Sequence, residues 1–156
     1  MQKLTRKNAL IDILKSNKDA LIITSAGYVS RELYHLKDSS KHFYMMGSMG
    51  CCIGFAIGIA LNSSRKVVAI VGDGEVLMSL GTLILTEELM LDNLTIYILN
   101  DGLYQSTGGQ KSVGKYIPKC GFNTHMIDIE DKSIPPRIDL MHSSITKRFY
   151  NEINGS

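Results

Sequence analysis

Hydrophobic side chains recur at Leu4, Ala9, Leu10, Ile13 and Leu14 with basic residues between them, a period that predicts an amphipathic helix over 4–16 with its cations facing outward. The period then shortens. "ALIIT" at 20–24 is a β-rich apolar run that ends in Ser25-Ala26-Gly27, and "SRELYHL" after it reads as a helix capped by Ser30. "HFYMM" at 42–46 runs into "GSMG", after which Gly50, Gly54 and Gly58 punctuate an apolar helix. Glycine lowers helix stability, so one face carrying several predicts close approach to a neighbouring backbone. "KVVAIV" at 66–71 is nearly all apolar, the pattern of a strand covered on both faces of a parallel sheet. Residues 75–91, with Leu77, Met78, Leu80, Leu83, Leu85, Leu89 and Met90, read as one long helix. "NLTIYIL" at 93–99 is the next strand and closes in Asn100-Asp101-Gly102. A glycine-rich loop follows over 106–114, then a weak helix near 115–120, a strand "HMIDI" at 125–129, an irregular passage through Pro135-Pro136 and a terminal helix over 143–153.

Strands alternating with helices predict an α/β fold: one open, mostly parallel sheet flanked by helices, with right-handed crossovers and ligands at the carboxyl ends of the strands. The 156 residues, 44% of them hydrophobic, are enough for one core and are read as one domain over 1–156. Seventeen Lys and Arg against fifteen Asp and Glu leave a net charge of +2 with no basic stripe, which argues against a nucleic-acid partner. The longest apolar run, 51–61, is about half of what a membrane helix needs, and no signal-peptide core is visible, so the expected location is cytoplasmic. Cys51, Cys52 and Cys120 fit neither a disulfide framework nor paired zinc ligands and are expected to be buried, reduced thiols.

The chemistry concentrates at Gly72-Asp73-Gly74. A strand followed by G-x-G suggests a dinucleotide site, but the third glycine of that motif would fall at Leu77. Asp73 would also set a carboxylate beside a pyrophosphate, where bare N–H groups belong. A divalent cation between the two anions removes the repulsion, because Mg²⁺ takes one or two protein oxygens together with substrate phosphates. A second oxygen ligand is then required at a neighbouring strand end. Asn100 ends the next strand, and residues 75–99 suffice for one helix and one returning parallel strand. The backbone carbonyl of Gly102 is a third candidate ligand.

Strand, GDG, helix, strand and Asn-x-Gly in this order, with "GYVSRELYHL", "FYMMGSMG", "GDGEVLMSLGTL" and "STGGQ", resemble the thiamine diphosphate-dependent decarboxylases, in the branch containing phosphonopyruvate and sulfopyruvate decarboxylases. The resemblance runs through most of the chain and implies a thiamine diphosphate-binding fold with thiamine diphosphate and Mg²⁺ as cofactors. It implies that Asp73, Asn100 and the Gly102 carbonyl hold the metal. Gly47, Ser48, Met49, Gly72, Gly74, Glu75, Leu103 and Tyr104 would complete the cofactor site, with the Gly47 carbonyl on the aminopyrimidine and Met49 as the apolar wedge that bends the cofactor. Gly47 and Met49 would act in catalysis by that positioning. An anionic 2-oxo acid is the implied substrate, with Arg31, Ser106 and Thr107 as candidate contacts to it; 3-phosphonopyruvate is favoured over sulfopyruvate. Members of the family also need a pyrimidine-binding domain that carries a catalytic glutamate. One domain of this length cannot hold both, so the resemblance implies a separate alpha subunit in a hetero-oligomer such as α2β2 or larger.

Two residues depart from the family pattern. Glu75 stands where a small residue is usual and is expected to point outward or to weaken cofactor binding, and Asp101 adds a negative charge near the metal. His42 reads as a packing residue beside a strand. The alternative of another class is a non-catalytic scaffold subunit, which would bind no cofactor in the presence of magnesium.

Overall fold

The computed structural model describes residues 3–155; the outermost ends of the 1–156 domain expectation lie outside them. Five parallel strands form the sheet: β1 (Leu21–Thr24), β2 (His42–Tyr44), β3 (Val67–Gly72), β4 (Leu94–Asn100) and, after a two-stranded hairpin of β5 (Leu103–Tyr104) and β6 (Gln110–Lys111), β7 (Thr124–Asp128). Their order is β2-β1-β3-β4-β7. The chain therefore winds outward in both directions from the β1/β3 pair, and in such sheets the crevice at that reversal is where ligands bind.

Burial explains the strand sequences. Val67 to Val71 are completely buried, as the unbroken apolar run predicts, because side chains alternate between two cores. Val67, Ala69 and Val71 pack on one face with residues of α3 (Cys52–Leu61), α4 (Asp73–Met78) and α5 (Leu80–Leu89). Val68 and Ile70 pack on the other face with α1 (Arg6–Ser16) and α2 (Tyr28–Leu36). The terminal helix α6 (His142–Asn154) contributes Phe149 to the first core and Ile145 to the second, closing the β2 edge. Among the described residues no helix is long and apolar enough to cross a membrane.

Several local expectations are corrected. Leu4 lies outside α1; it pairs with Ile129 in a parallel bridge beside β7, and Thr5 caps the helix through Asn8 N–H. Arg6 is 2% exposed rather than outward-facing, and it pairs with Glu32 at 3.2 Å. Ser30 is not a helix cap: α2 starts at Tyr28, and the Ser30 hydroxyl donates to the carbonyl of Ser25 at 2.7 Å, tying helix to strand end. The helix expected over 75–91 breaks at Ser79, whose φ/ψ of −139°/39° separates α4 from α5. Gly58 meets no neighbour and Gly54 makes only ordinary contact with Thr82, so their faces of α3 are open in this chain. Cys51 is exposed and Cys120 partly so; Cys52 alone is buried.

Candidate functional site

The carboxyl ends of β1 and β3 open into a cavity of about 250 Å³, bounded on one side by β5 and the turn over 105–107. Gly47, Met49, Gly72, Asp73, Gly74, Glu75, Leu103, Tyr104, Ser106 and Thr107 line it, ten of the residues singled out from the sequence. Met49 is 47% exposed beside it, an apolar side chain held out of the core. Gly74 is required sterically: a Cβ there would fall 2.5 Å from the Tyr104 ring and 3.3 Å from Met49 Cε. Ser48 lies outside this lining, and Arg31 lines an adjoining cavity instead.

Asp73 and Asn100 converge. The Asp73 carboxylate is buried at the start of α4, where it accepts a hydrogen bond from the Ser112 hydroxyl. Burial raises its pKa; the Ser112 hydrogen bond opposes the shift, and the negative charge of Asp101 adds to it. The Asn100 amide donates through Nδ2 to Asp128 Oδ1 at 2.7 Å, which leaves Asn100 Oδ1 buried without a partner. Both oxygens face one point beside Gly114. A Cβ on Gly114 would lie 2.7 Å from Asn100 Oδ1 and closer still to Asp73 Oδ2. A buried carboxylate and an orphaned amide oxygen aimed at one place form a donor set for a hard divalent cation. The Gly102 carbonyl accepts the N–H of Ser112 at 2.8 Å, the residue whose hydroxyl donates to Asp73.

Glu75 turns inward. It is buried, and its Oε1 accepts the Cys52 N–H at 3.1 Å in the first turn of α3, where a negative charge is favourable. The expectation of an outward-pointing Glu75 is therefore corrected: α3 takes up its charge. Thr107 donates within its own loop to the Tyr104 carbonyl at 3.3 Å. His42 is buried in β2 with Nδ1 3.3 Å from the Tyr44 hydroxyl, and burial lowers its pKa to about 4, so it is a neutral packing residue.

Four residues escaped the sequence reading. Asp128 stands opposite Asn100 in the β4–β7 register, a pairing that only the strand alignment reveals. Ser112 and Gly114 belong to a loop whose path no local pattern specifies. Arg6, read as a solvated helix residue, lines the cavity.

Residues 24–133 match the family described as thiamine pyrophosphate enzyme, C-terminal TPP binding domain. The chain is 33% identical to the sulfopyruvate decarboxylase subunit beta of Methanothermobacter thermautotrophicus, over 98% of this chain and 97% of that one. It is 41% identical to the phosphonopyruvate decarboxylase of Streptomyces viridochromogenes over 73% of this chain, but spans only 32% of that protein. With the sulfopyruvate decarboxylase subunit beta of Methanocaldococcus jannaschii it shares 37% identity over 76% of this chain and 63% of the relative.

Proposed function

The chain belongs to the thiamine pyrophosphate enzyme family, and on that footing we propose that it is the cofactor-binding subunit of a two-subunit thiamine diphosphate-dependent 2-oxo acid decarboxylase. The observation that carries this reading is the convergence of Asp73 and the unpartnered Asn100 Oδ1 at the tips of β3 and β4. In it, Asp73, Asn100 and the Gly102 carbonyl hold Mg²⁺, which neutralises the diphosphate. Bound thiamine diphosphate supplies the electron sink for loss of carbon dioxide. The work of this chain is placement: Gly47 and Met49 position the cofactor ring, and Gly72 and Gly74 allow close backbone approach.

A partner supplies the pyrimidine-binding half and its glutamate. Two observations support this. The relative matched along nearly its whole length is named a beta subunit. On this chain, the apolar side chains of Met78, Ile84 and Leu85 are 57%, 51% and 48% exposed on α4 and α5, where a partner would cover them.

The same end-to-end match favours sulfopyruvate as substrate, giving sulfoacetaldehyde and carbon dioxide. The higher identity to a phosphonopyruvate decarboxylase supports the second reading, phosphonopyruvate to phosphonoacetaldehyde. Both acids carry a tetrahedral anionic tail. The test is to assemble the chain with its pyrimidine-domain partner, add thiamine diphosphate and Mg²⁺, and score aldehyde from each acid. Turnover is expected from the pair alone and only with the metal. Turnover by this chain in isolation, or cofactor binding indifferent to magnesium, overturns the reading.

A further inference from the structure

A second cavity, of about 310 Å³, adjoins the first and shares Ala26, Gly27 and Gly47 with it. Its charge is of one sign. Arg31 and Arg137 are the only ionisable side chains in its lining, whereas the first cavity carries Asp73, Glu75 and Asp101 together with Arg6. Neither arginine has an acidic partner within salt-bridge distance among the described residues. The nearby carboxylates are engaged elsewhere: Glu32 with Arg6, and Asp139 with the Tyr34 hydroxyl.

Contacts between α2 and residues 137–139 set both arginines on the one cavity. Arg31 and His35 are one turn apart on the same face of α2. The His35 ring lies with Nε2 3.3 Å from the Arg137 carbonyl, and Tyr34 binds Asp139 two residues on. Pro135 and Pro136 restrict the backbone that leads into Arg137. Arg31 is further steadied over the Tyr28 ring, its guanidinium carbon 5.4 Å from the centroid. The remaining walls, Met45, Met46 and Ile138, are apolar, and the Ser30 hydroxyl already donates to backbone at the β1 end.

Two arginines lining one cavity beside apolar walls, neither with a carboxylate partner, leave forked donors that suit tetrahedral oxyanions. We propose that this cavity receives the anionic tail of the substrate, with Arg31 and Arg137 as its specificity determinants. The inference rests on the decarboxylase reading: the 2-oxo acid end would lie at Gly47, where the two cavities meet, and the sulfonate or phosphonate end between the arginines.

The experiment uses the assembled, cofactor-loaded enzyme with Arg31→Gln, Arg137→Gln and the double variant. Two quantities are read: KM and kcat for sulfopyruvate and phosphonopyruvate, and calorimetric affinity for sulfoacetate and phosphonoacetate, which carry the tail without the keto group. Each single change is expected to raise KM about tenfold or more and the double change further, with kcat moving less. Affinity for the tail analogues should fall in parallel while that for thiamine diphosphate stays within about twofold of wild type. A double variant whose KM and analogue affinity stay within about twofold of wild type overturns the proposal. Failure of the wild-type pair to decarboxylate either acid counts against the decarboxylase reading, while the analogue titration still decides the cavity.

Discussion

The proposed cation site depends on which atom of one amide faces inward. Asn100 ligates only through oxygen, and Asp128, by accepting from Nδ2 at 2.7 Å, holds the oxygen toward Asp73. Outer partners of this kind orient a ligand and are typically worth about 10–100-fold in metal affinity. Asp128→Ala is therefore expected to weaken magnesium-dependent thiamine diphosphate binding by about tenfold or more. Fluorescence titration of the assembled enzyme checks this, with unchanged circular dichroism as the control for folding. Asp73 and Asn100 were legible because a carboxylate between glycines at one strand end and an amide at the next define a chemistry. Asp128 was not, because its significance lies in a register between strands far apart in sequence. Glu75 was misplaced for a related reason: its partner, the Cys52 N–H, belongs to a helix that only folding brings alongside.

The long apolar stretch after GDG shows where periodicity stops being informative. Every position from 75 to 91 is compatible with one helix, but the non-helical φ/ψ at Ser79 divides it. Val76 and Leu83 are thereby buried, while Ile84 and Leu85 turn outward. A helix apolar on nearly all sides requires burial on nearly all sides, and this chain covers only part of α5. Ile84→Glu and Leu85→Glu are expected to leave the thermal midpoint of the isolated chain within a few degrees, as exposed substitutions do. The same changes should lower partner affinity about tenfold or more, measured by titrating one subunit into the other. Unimpaired assembly would place the partner on another face. Elsewhere the element pattern was sound: β1, β3, β4 and β7 fall on segments read as strands and β2 on the run HFYMM, but the hairpin was missed and the weak helix expected near 115–120 is only a 3₁₀ turn at Gly114–Tyr116, because short, solvent-facing pieces carry no hydrophobic period.

Across the whole molecule, stability should depend on pH through His42. Burial lowers its pKa to about 4 from an ordinary 6.5, so between those values the unfolded chain binds a proton that the folded one refuses. Stability is thus expected to fall as pH drops from 6.5 toward 4, by at most about 3 kcal/mol from this residue. Denaturant titrations across that window should show the slope reduced in His42→Gln. Asp38, paired with Arg148 and Tyr44, has a lowered pKa and adds loss in the same direction at lower pH still.

The order of apolar and polar residues was by itself enough to determine alternating strands and helices, a buried central strand and a Gly-Asp-Gly turn at its tip, because each depends on residues close together in the chain. Which helix face stays uncovered, which carboxylate holds Asn100, where Glu75 turns and how Arg137 comes beside Arg31 were decided only in three dimensions. Those relations join segments separated by tens of residues, and their energies arise from contacts that exist only after the sheet has assembled.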